Sequence, residues 1–207
     1  MILYGQYDSP FVRRVGIALR LYNLPFAHRP LSAFADAAAL ASLTPLMRVP
    51  ALQLADGTVL TDSQLILDYV DTLISPVRAL VPRGEPARHR ILRRVGLATG
   101  LADKAVSLFY ERALHAEPAR TWVQRCEAQI RQTLATLETD RGSFSSYWGS
   151  ASLSHADIAL ACALRFLREV HDGLFDPEAF PALLRHSATC EALPVFQEIS
   201  QTFRAPA

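Results

Sequence analysis

Short apolar runs alternate with segments of helical periodicity over the first 75 residues, a pattern that predicts strands and helices in succession. The run MILYG at the start predicts a buried strand. Apolar residues then recur at helical spacing from Phe11 to Tyr22, until Pro25 ends the pattern. The run PFAHR predicts a second strand, and a strand, a helix and a strand in this order predict a parallel unit.

The remainder of this half completes the predicted order βαβαββα. A short helix is predicted over residues 34–43 and a closing helix over residues 63–74. Between them the run ALQLADGTVL predicts an antiparallel hairpin, because Asp56 and Gly57 supply the positive φ angles of a two-residue turn. The residues expected on the inward face of the closing helix are Leu65, Ile66, Tyr69, Val70 and Leu73.

Beyond Pro86 the pattern is almost wholly helical, and this change predicts two domains. The segment 76–86 contains three prolines and one glycine, which oppose regular structure and indicate a linker. We therefore expect an α/β domain over residues 1–75 and an all-helical domain over residues 87–207.

Two helices stand out in the second half. Residues 154–171 are apolar nearly all round, which predicts a central buried helix, and Ser154 and Asp157 form a capping pair at its start. Leu153 and Ile158 are placed as a hydrophobic staple, so we interpret this helix start as structural. The stripe expected on another, longer helix is Trp122, Cys126, Ile130, Leu134 and Leu137.

Composition narrows the function classes. The chain has 207 residues, half of them hydrophobic, and a chain of this length buries about 70% of its unfolded surface. With 21 Lys and Arg against 20 Asp and Glu, it has no bulk charge to hold nucleic acid or an anionic membrane. The arginines at 88, 90, 93 and 94 are interpreted as a solvated helix face. Without a membrane-spanning apolar run or a secretion signal, we expect a cytoplasmic protein.

The sulfur and imidazole groups indicate neither a metal site nor a disulfide framework. Cys126, Cys162 and Cys190 are odd in number, far apart and lack zinc-like spacing. The six histidines never pair at helical spacing with each other. We expect the cysteines to pack in the interior of a protein in a reducing compartment.

Candidate chemistry begins at Ser9, in the stretch DSPFVRRVGIAL. Serine followed by Pro10 is a typical helix start, and capping alone is a sufficient explanation. The same geometry stabilises an anion, since a helix N-terminus presents free N–H groups and partial positive charge. Ser9 has no neighbouring base in the sequence and is a poor nucleophile, but its hydroxyl could donate to a bound thiolate.

Two further pairs allow both a structural and a functional interpretation. Val49-Pro50 is either an ordinary proline at the start of a strand or a cis pair that exposes the Val49 backbone to an extended peptide. Asp62-Ser63 is either another helix cap, with Thr61 and Gln64 as a possible capping box, or a site for a carboxylate and an ammonium group.

The order of these elements resembles a known family. SPFVRRV after the first strand, RVPAL before the third, TDSQLILDYV at the next helix and LSHADIAL in the helical half are similar to the cytosolic glutathione transferases. The resemblance covers essentially the whole chain and is greatest to the serine-bearing classes, notably the tau type and related bacterial members. It implies a thioredoxin-like N-terminal domain that binds glutathione and an all-helical domain that lines the site for an electrophile.

The resemblance also assigns roles to residues. It implies that Ser9 meets the glutathione sulfur, that Val49, before a cis Pro50, pairs with the cysteinyl backbone, and that Asp62 and Ser63 hold the γ-glutamyl end. It places Arg48 near the glycine carboxylate. Tyr7 and Tyr4 are the alternative hydroxyl donors, with Tyr4 expected in the core. Phe11, Phe109 and Tyr110 are expected either in the core or facing an apolar co-substrate.

The function implied is a glutathione transferase of detoxification type that acts on small electrophiles, without a metal, as a homodimer. The run AFADAAALAS supplies no basic residue where the family often has one in its second helix. That difference leaves open a second hypothesis, a regulatory glutathione-binding protein of the same fold without catalysis.

Overall fold

The computed structural model describes residues 1–142, 147–148 and 152–205. Four three-residue strands form one mixed sheet in the order β2-β1-β3-β4. β1 pairs in parallel with β2 and antiparallel with β3, which pairs antiparallel with β4. The strands are β1 Ile2–Tyr4, β2 Ala27–Arg29, β3 Ala51–Gln53 and β4 Val59–Thr61. The predicted order βαβαββα is confirmed.

Three helices accompany the sheet: α1 Pro10–Leu21, α2 Ala37–Leu43 and α3 Ser63–Thr72. The predicted α2 began too early, because Ser32 organises a turn over residues 32–36. Its Oγ accepts hydrogen bonds from the N–H groups of Phe34 and Ala35, both at 3.2 Å, and its own N–H donates to the Asp36 carboxylate at 2.8 Å.

The predicted inward face of α3 was partly wrong. Ile66 and Val70 are fully buried, but Leu65 is 64% exposed and Leu73 47% exposed. The buried stripe is Ser63, Ile66, Leu67 and Val70. This spacing of three and four residues keeps one face on the sheet, and Leu65 and Leu73, eight residues apart, lie on a different face.

The second half contains five helices in the described residues: α4 Ala87–Leu114, α5 Arg120–Gly142, α6 His155–Val170, α7 Pro181–Glu191 and α8 Pro194–Glu198. α6 is central, as predicted, and packs against α1, α4 and α7. The Asp157 carboxylate accepts from the Ser154 N–H at 2.9 Å and from the Trp148 N–H at 2.7 Å, which confirms the structural cap. On α5 the expected stripe is buried except for Trp122, which lies 37% exposed beside Lys104.

Residues 73–86 contain no helix or strand, in keeping with a linker, and the domain bounds stay a prediction. A buried polar network crosses this region. The Asp71 carboxylate contacts both the Tyr22 hydroxyl and His155 Nε2, the latter at 2.9 Å, while the Leu80 N–H donates to the Tyr22 hydroxyl at 2.7 Å. Among the described residues, no helix is long and apolar enough to cross a membrane.

Candidate functional site

Two adjoining cavities lie between α4 and the N-terminal residues at the ends of the strands and at the starts of α1 and α3. The first, of about 410 Å³, includes Ser9, and the second, of about 610 Å³, includes Asp62 and Ser63. Phe11, Arg48 and Val49 line both, so they form the partition between the two cavities. The site residues predicted from the sequence therefore lie around these two adjoining cavities, which we call the cleft, with Pro50 in the wall of the second cavity.

Ser9 is the N-cap of α1. Its backbone is extended, at φ −68° and ψ 123°, and its Oγ accepts a hydrogen bond from the Val12 N–H at 3.4 Å. That bond occupies a lone pair and leaves the hydroxyl proton available for a group in the first cavity. Capping and donation are thus compatible, since each uses a different part of the hydroxyl.

Tyr7 and Tyr4 line neither cavity. The Tyr7 ring stacks on His28 with centroids 3.9 Å apart, and burial raises the pKa of its hydroxyl to about 12. The Tyr4 hydroxyl donates to Gln53 Oε1 at 3.0 Å, and Tyr4, the last residue of β1, is only partly buried, so its expected position in the core was wrong. Both rings have structural partners, and among these three hydroxyls only that of Ser9 belongs to a residue lining a cavity.

The loop that carries Val49 packs tightly against the loop that precedes Ser9. The Val49–Pro50 peptide bond is cis, and Pro50 is buried. Across from it, Gly5 has φ +123°, and a Cβ there would lie 2.5 Å from Val12 Cγ2 and 2.8 Å from Val49 Cβ. Only glycine fits both the conformation and the space, and its small size lets Val49 reach the partition.

Asp62 and Ser63 begin α3. Asp62 has φ +70°, an uncommon conformation for a residue with a side chain, and its carboxylate accepts from the Gln64 N–H at 2.7 Å. Asp62 is thus the N-cap, and Thr61 and Gln64 do not form the capping box considered from the sequence, because the Gln64 side chain faces Arg14 instead. Ser63 is buried, with 4% of its surface exposed.

Arg14 is a site residue that the sequence analysis missed. It lines the second cavity with only 2% of its surface exposed, and its Nη1 donates to Ser63 Oγ at 3.2 Å. Burial lowers the pKa of its guanidinium to about 10, and its Nε has no hydrogen-bond partner among the described residues. The sequence did contain a signal for Arg14, because it is a second arginine within the apolar stripe of α1.

Arg13, the preceding residue, fixes the C-terminal segment. Its guanidinium forms a bidentate pair with Glu191, at 2.6 and 2.8 Å, and donates to the carbonyls of Phe196 and Ile199, both at 2.8 Å. These contacts join α1 to the end of α7 and to α8. The chain beyond Ile199 then runs back to the cleft.

That C-terminal segment forms a wall of the first cavity. The Phe203 ring lies 5.1 Å from the Phe109 ring and 5.7 Å from the Phe166 ring, between centroids. The Phe203 N–H donates to the Glu169 carboxylate at 3.0 Å. Phe11, Phe109 and Tyr110 line this cavity, which favours the co-substrate interpretation of these residues. No periodicity in the sequence marked the segment as part of the site.

Comparison with family models is consistent with this geometry. Residues 3–77 match the glutathione S-transferase N-terminal domain, and residues 120–189 match the C-terminal domain. The crystal structure of a glutathione transferase family member from Pseudomonas fluorescens Pf-5, with bound glutathione, is 31% identical, with a TM-score of 0.83 over 100% of this chain and 99% of that one. The chain belongs to the glutathione S-transferase family.

Two curated relatives broaden the comparison. The uncharacterized GST-like protein YibF of Escherichia coli K12 is 29% identical over 81% of this chain and 82% of its own length. The probable maleylacetoacetate isomerase 2 of Drosophila melanogaster is 26% identical over 95% of this chain and 86% of its own length. The glutathione S-transferase fold is confirmed, with a thioredoxin-like N-terminal part and a helical C-terminal part. Assignment to the serine-bearing classes stays a prediction.

The three thiols of this glutathione S-transferase family member lie away from the cleft. Cys126, Cys162 and Cys190 are free and buried, which confirms their packing role. Burial raises the pKa of all three thiols, that of Cys162 to about 11. A protonated, inaccessible thiol is a poor nucleophile. Within the described residues, no group of three or more His, Cys, Asp or Glu side chains could hold a metal ion.

Proposed function

We propose that this chain is a glutathione transferase in which the Ser9 hydroxyl activates the glutathione thiol for attack on a small electrophile. The observation that carries the proposal is the cleft itself. Ser9 lies at the positive end of α1 in one cavity, and the partition residues Arg48 and Val49 connect it with Asp62 and Ser63 in the other. The relative from Pseudomonas fluorescens, solved with bound glutathione, supports the choice of ligand.

Glutathione matches the order of groups along the cleft. We propose that its sulfur lies beside Ser9 and that its cysteinyl backbone pairs with the main chain of Val49, as an added strand would. Its γ-glutamyl carboxylate would accept from Ser63 at the start of α3, and its ammonium group would pair with Asp62. Arg48 is the cation available to the glycine carboxylate.

The chemistry proposed for Ser9 is stabilisation of the thiolate. A hydrogen bond to a charged acceptor contributes about 1.5–3 kcal/mol, and a helix N-terminus adds about 0.3–1 kcal/mol. At about 1.4 kcal/mol for each pKa unit, these terms lower the thiol pKa from about 8.5–9 to near or below neutrality. The thiolate then bonds to the electrophilic carbon while the leaving group departs with its electron pair, and the adjoining cavities hold the two reactants together.

The test distinguishes the catalytic effect of the Ser9 hydroxyl from its structural effect as a helix cap. Ser9→Gly removes the hydroxyl but keeps a residue that caps helices within a few tenths of a kcal/mol, whereas Ser9→Thr keeps both. With 1-chloro-2,4-dinitrobenzene, we expect kcat to fall by about tenfold or more in Ser9→Gly and to be largely retained in Ser9→Thr. Turnover by Ser9→Gly at the parent rate would refute the role of Ser9.

A second candidate is glutathione-dependent isomerisation, favoured by the Drosophila relative named a probable isomerase. The same thiolate would add to a cis double bond, the adduct would rotate, and elimination would return glutathione. Conversion of a cis unsaturated dicarbonyl compound with no net loss of glutathione distinguishes this reaction from transfer.

In the regulatory alternative, the protein binds glutathione but does not catalyse its transfer. α2 has no basic residue, so the described cations that line the second cavity are Arg14 and Arg48. Calorimetric titration with glutathione, together with the ultraviolet absorbance of bound thiolate at neutral pH, decides between these hypotheses. Binding without a thiolate signal would favour regulation.

We also propose a homodimer. Leu65 of α3 is 64% exposed, and Leu46, which is 58% exposed, lies at the second cavity together with Gly96 and Gly100 of α4, where no side chain fills the adjoining space. Exposed apolar side chains near a flat helix face are typical of an interface between subunits. Sedimentation equilibrium at micromolar concentration should give about twice the 22.9 kDa of the chain, and a monomer would refute the proposal.

A further inference from the structure

The first cavity combines an aromatic wall with unpaired positive charge. Phe34 meets Tyr110 edge to face at 5.0 Å, and Phe203 meets Phe109 in the same way at 5.1 Å. Flat apolar surfaces of this kind favour a planar, apolar body in the ligand. The cations among the residues that line the cavity are Arg48 and Arg204.

Neither guanidinium forms an ion pair with a described residue, and Arg48 adjoins the second cavity, where the proposed function assigns it to glutathione. Arg204 is therefore the cation left for the co-substrate. Its position is set by Phe203, whose ring packs between Phe109 and Phe166 and whose N–H donates to Glu169.

Asp8 is the acidic residue among those that line the first cavity, and its charge is offset locally. The backbone N–H groups of Arg204 and Ser9 act on its carboxyl, while burial raises the pKa of that carboxyl. Asp8 thus has main-chain donors of its own, whereas Arg204 is an exposed residue of the cavity lining and has no carboxylate partner among the described residues.

We infer that Arg204 selects electrophiles that carry a carboxylate on a planar apolar body. The carboxylate would accept hydrogen bonds from the Arg204 guanidinium, and the planar body would lie against Phe34, Tyr110 and Phe203. A planar guanidinium matches a carboxylate in geometry as well as charge. This inference rests on the proposed function, because it names the substrate class for the same cleft.

A matched pair of aryl halides tests the inference: 4-chloro-3-nitrobenzoate and 4-chloro-3-nitrobenzamide. In both, the glutathione sulfur bonds to the ring carbon that carries chlorine, the C–Cl bond breaks, and chloride leaves with the bonding electrons. The amide withdraws electrons more strongly, so each kcat/KM is divided by the uncatalysed rate constant with glutathione thiolate. The readout is the normalised ratio of benzoate to benzamide.

We expect the parent ratio to exceed one and to fall by about tenfold in Arg204→Gln, because a charged hydrogen bond is lost. Arg204→Lys should restore the ratio only in part, because it regains the charge but not the planar geometry. Arg131→Gln, which removes an exposed arginine of α5 outside both cavities, should leave the ratio unchanged. An unchanged ratio in Arg204→Gln would overturn the inference about Arg204. Turnover of the benzamide would in that case still support the proposed transferase function.

A binding measurement distinguishes failure of the transferase proposal from failure of the inference about Arg204. If the parent converts neither halide, the transferase proposal fails, and calorimetry with the two glutathione conjugates still decides the role of Arg204. The carboxylate site is supported if the parent binds the carboxylate conjugate more tightly than the amide conjugate and Arg204→Gln abolishes this difference. Equal binding of both conjugates would overturn it.

Discussion

Arg13 and Arg14 are neighbours in the sequence, but their side chains leave α1 about 100° apart, because the helix turns by that angle at each residue. Arg13 reaches Glu191 in the helical half, whereas Arg14 reaches Ser63 at the start of α3. Since Ser63 Oγ accepts from Arg14, its own hydroxyl proton is directed elsewhere. We propose that Arg14 positions Ser63 to donate to the γ-glutamyl carboxylate.

Replacing Arg14 should therefore weaken glutathione binding more than it slows the chemistry. In Arg14→Met we expect KM for glutathione to rise by about tenfold with a much smaller change in kcat, because Arg14 and Ser63 line the second cavity whereas Ser9 lines the first. Steady-state kinetics measure this difference, and Arg14→Lys should restore part of the loss. Thermal unfolding of each variant checks that the fold is intact.

Ser63→Ala provides the control for this mechanism. If Arg14 acts through Ser63, the effects of Arg14→Met and Ser63→Ala on KM should be clearly non-additive in the double variant. Simple additivity would show that Arg14 acts on the ligand by another route.

Two elements meet at the first cavity: α1, whose N-cap is Ser9, and the C-terminal segment held by Arg13. Arg13 is 2% exposed, and Glu191 supplies the carboxylate that compensates its buried charge. The same guanidinium binds the carbonyls of Phe196 and Ile199, just before the segment that carries Phe203. The position of the cavity wall thus depends on an ion pair outside the cavity.

Glu191→Gln should destabilise the protein and loosen this wall. We expect the free energy of unfolding to fall by about 1–3 kcal/mol, because a buried cation loses its charged partner but keeps its carbonyl acceptors. KM for the electrophile should change more than KM for glutathione. Chemical denaturation and steady-state kinetics measure the two effects.

Glu198→Gln is the matched control, since it breaks an ion pair with Arg20 in which both side chains are about half exposed. Such pairs contribute about 0–1 kcal/mol. Equal losses of stability in the two variants would contradict the role assigned to Arg13.

Local patterns predicted much of the fold and part of the site. β1, the start of α1 and the cap of α6 depend on neighbouring residues, so caps and periodicity were sufficient to predict them. Arg14 and Phe203 depend on which faces meet in space, which no local pattern specifies. Leu65 was misplaced for the same reason, because an apolar residue does not reveal which face of α3 packs against the sheet.

Across the whole molecule, three buried histidines tie stability to pH. His155, His171 and His186 are 1–4% exposed, and burial lowers the pKa of each imidazole. Near pH 6.5 and just below it, the unfolded chain therefore binds more protons at these positions than the folded chain does. Stability rises with pH wherever the unfolded state binds more protons.

We accordingly expect the melting temperature to fall as the pH is lowered from about 7.5 to 5.5, through the range in which the unfolded histidines gain protons. His155→Gln should reduce this slope, although loss of the contact to Asp71 should also lower stability at every pH. His89→Gln removes an imidazole whose side chain is 64% exposed and serves as the control. A slope unaffected by His155→Gln would refute this account.

The interior location of the three cysteines also bears on the survival of the catalyst. A protein that handles alkylating compounds risks being modified by its own substrates, and an accessible thiol is the usual target of such damage. Because Cys126, Cys162 and Cys190 are all buried and protonated at neutral pH, the thiol offered to these reagents is that of the tripeptide. We expect the folded protein to tolerate prolonged contact with iodoacetamide, and its cysteines to be labelled only once it is denatured.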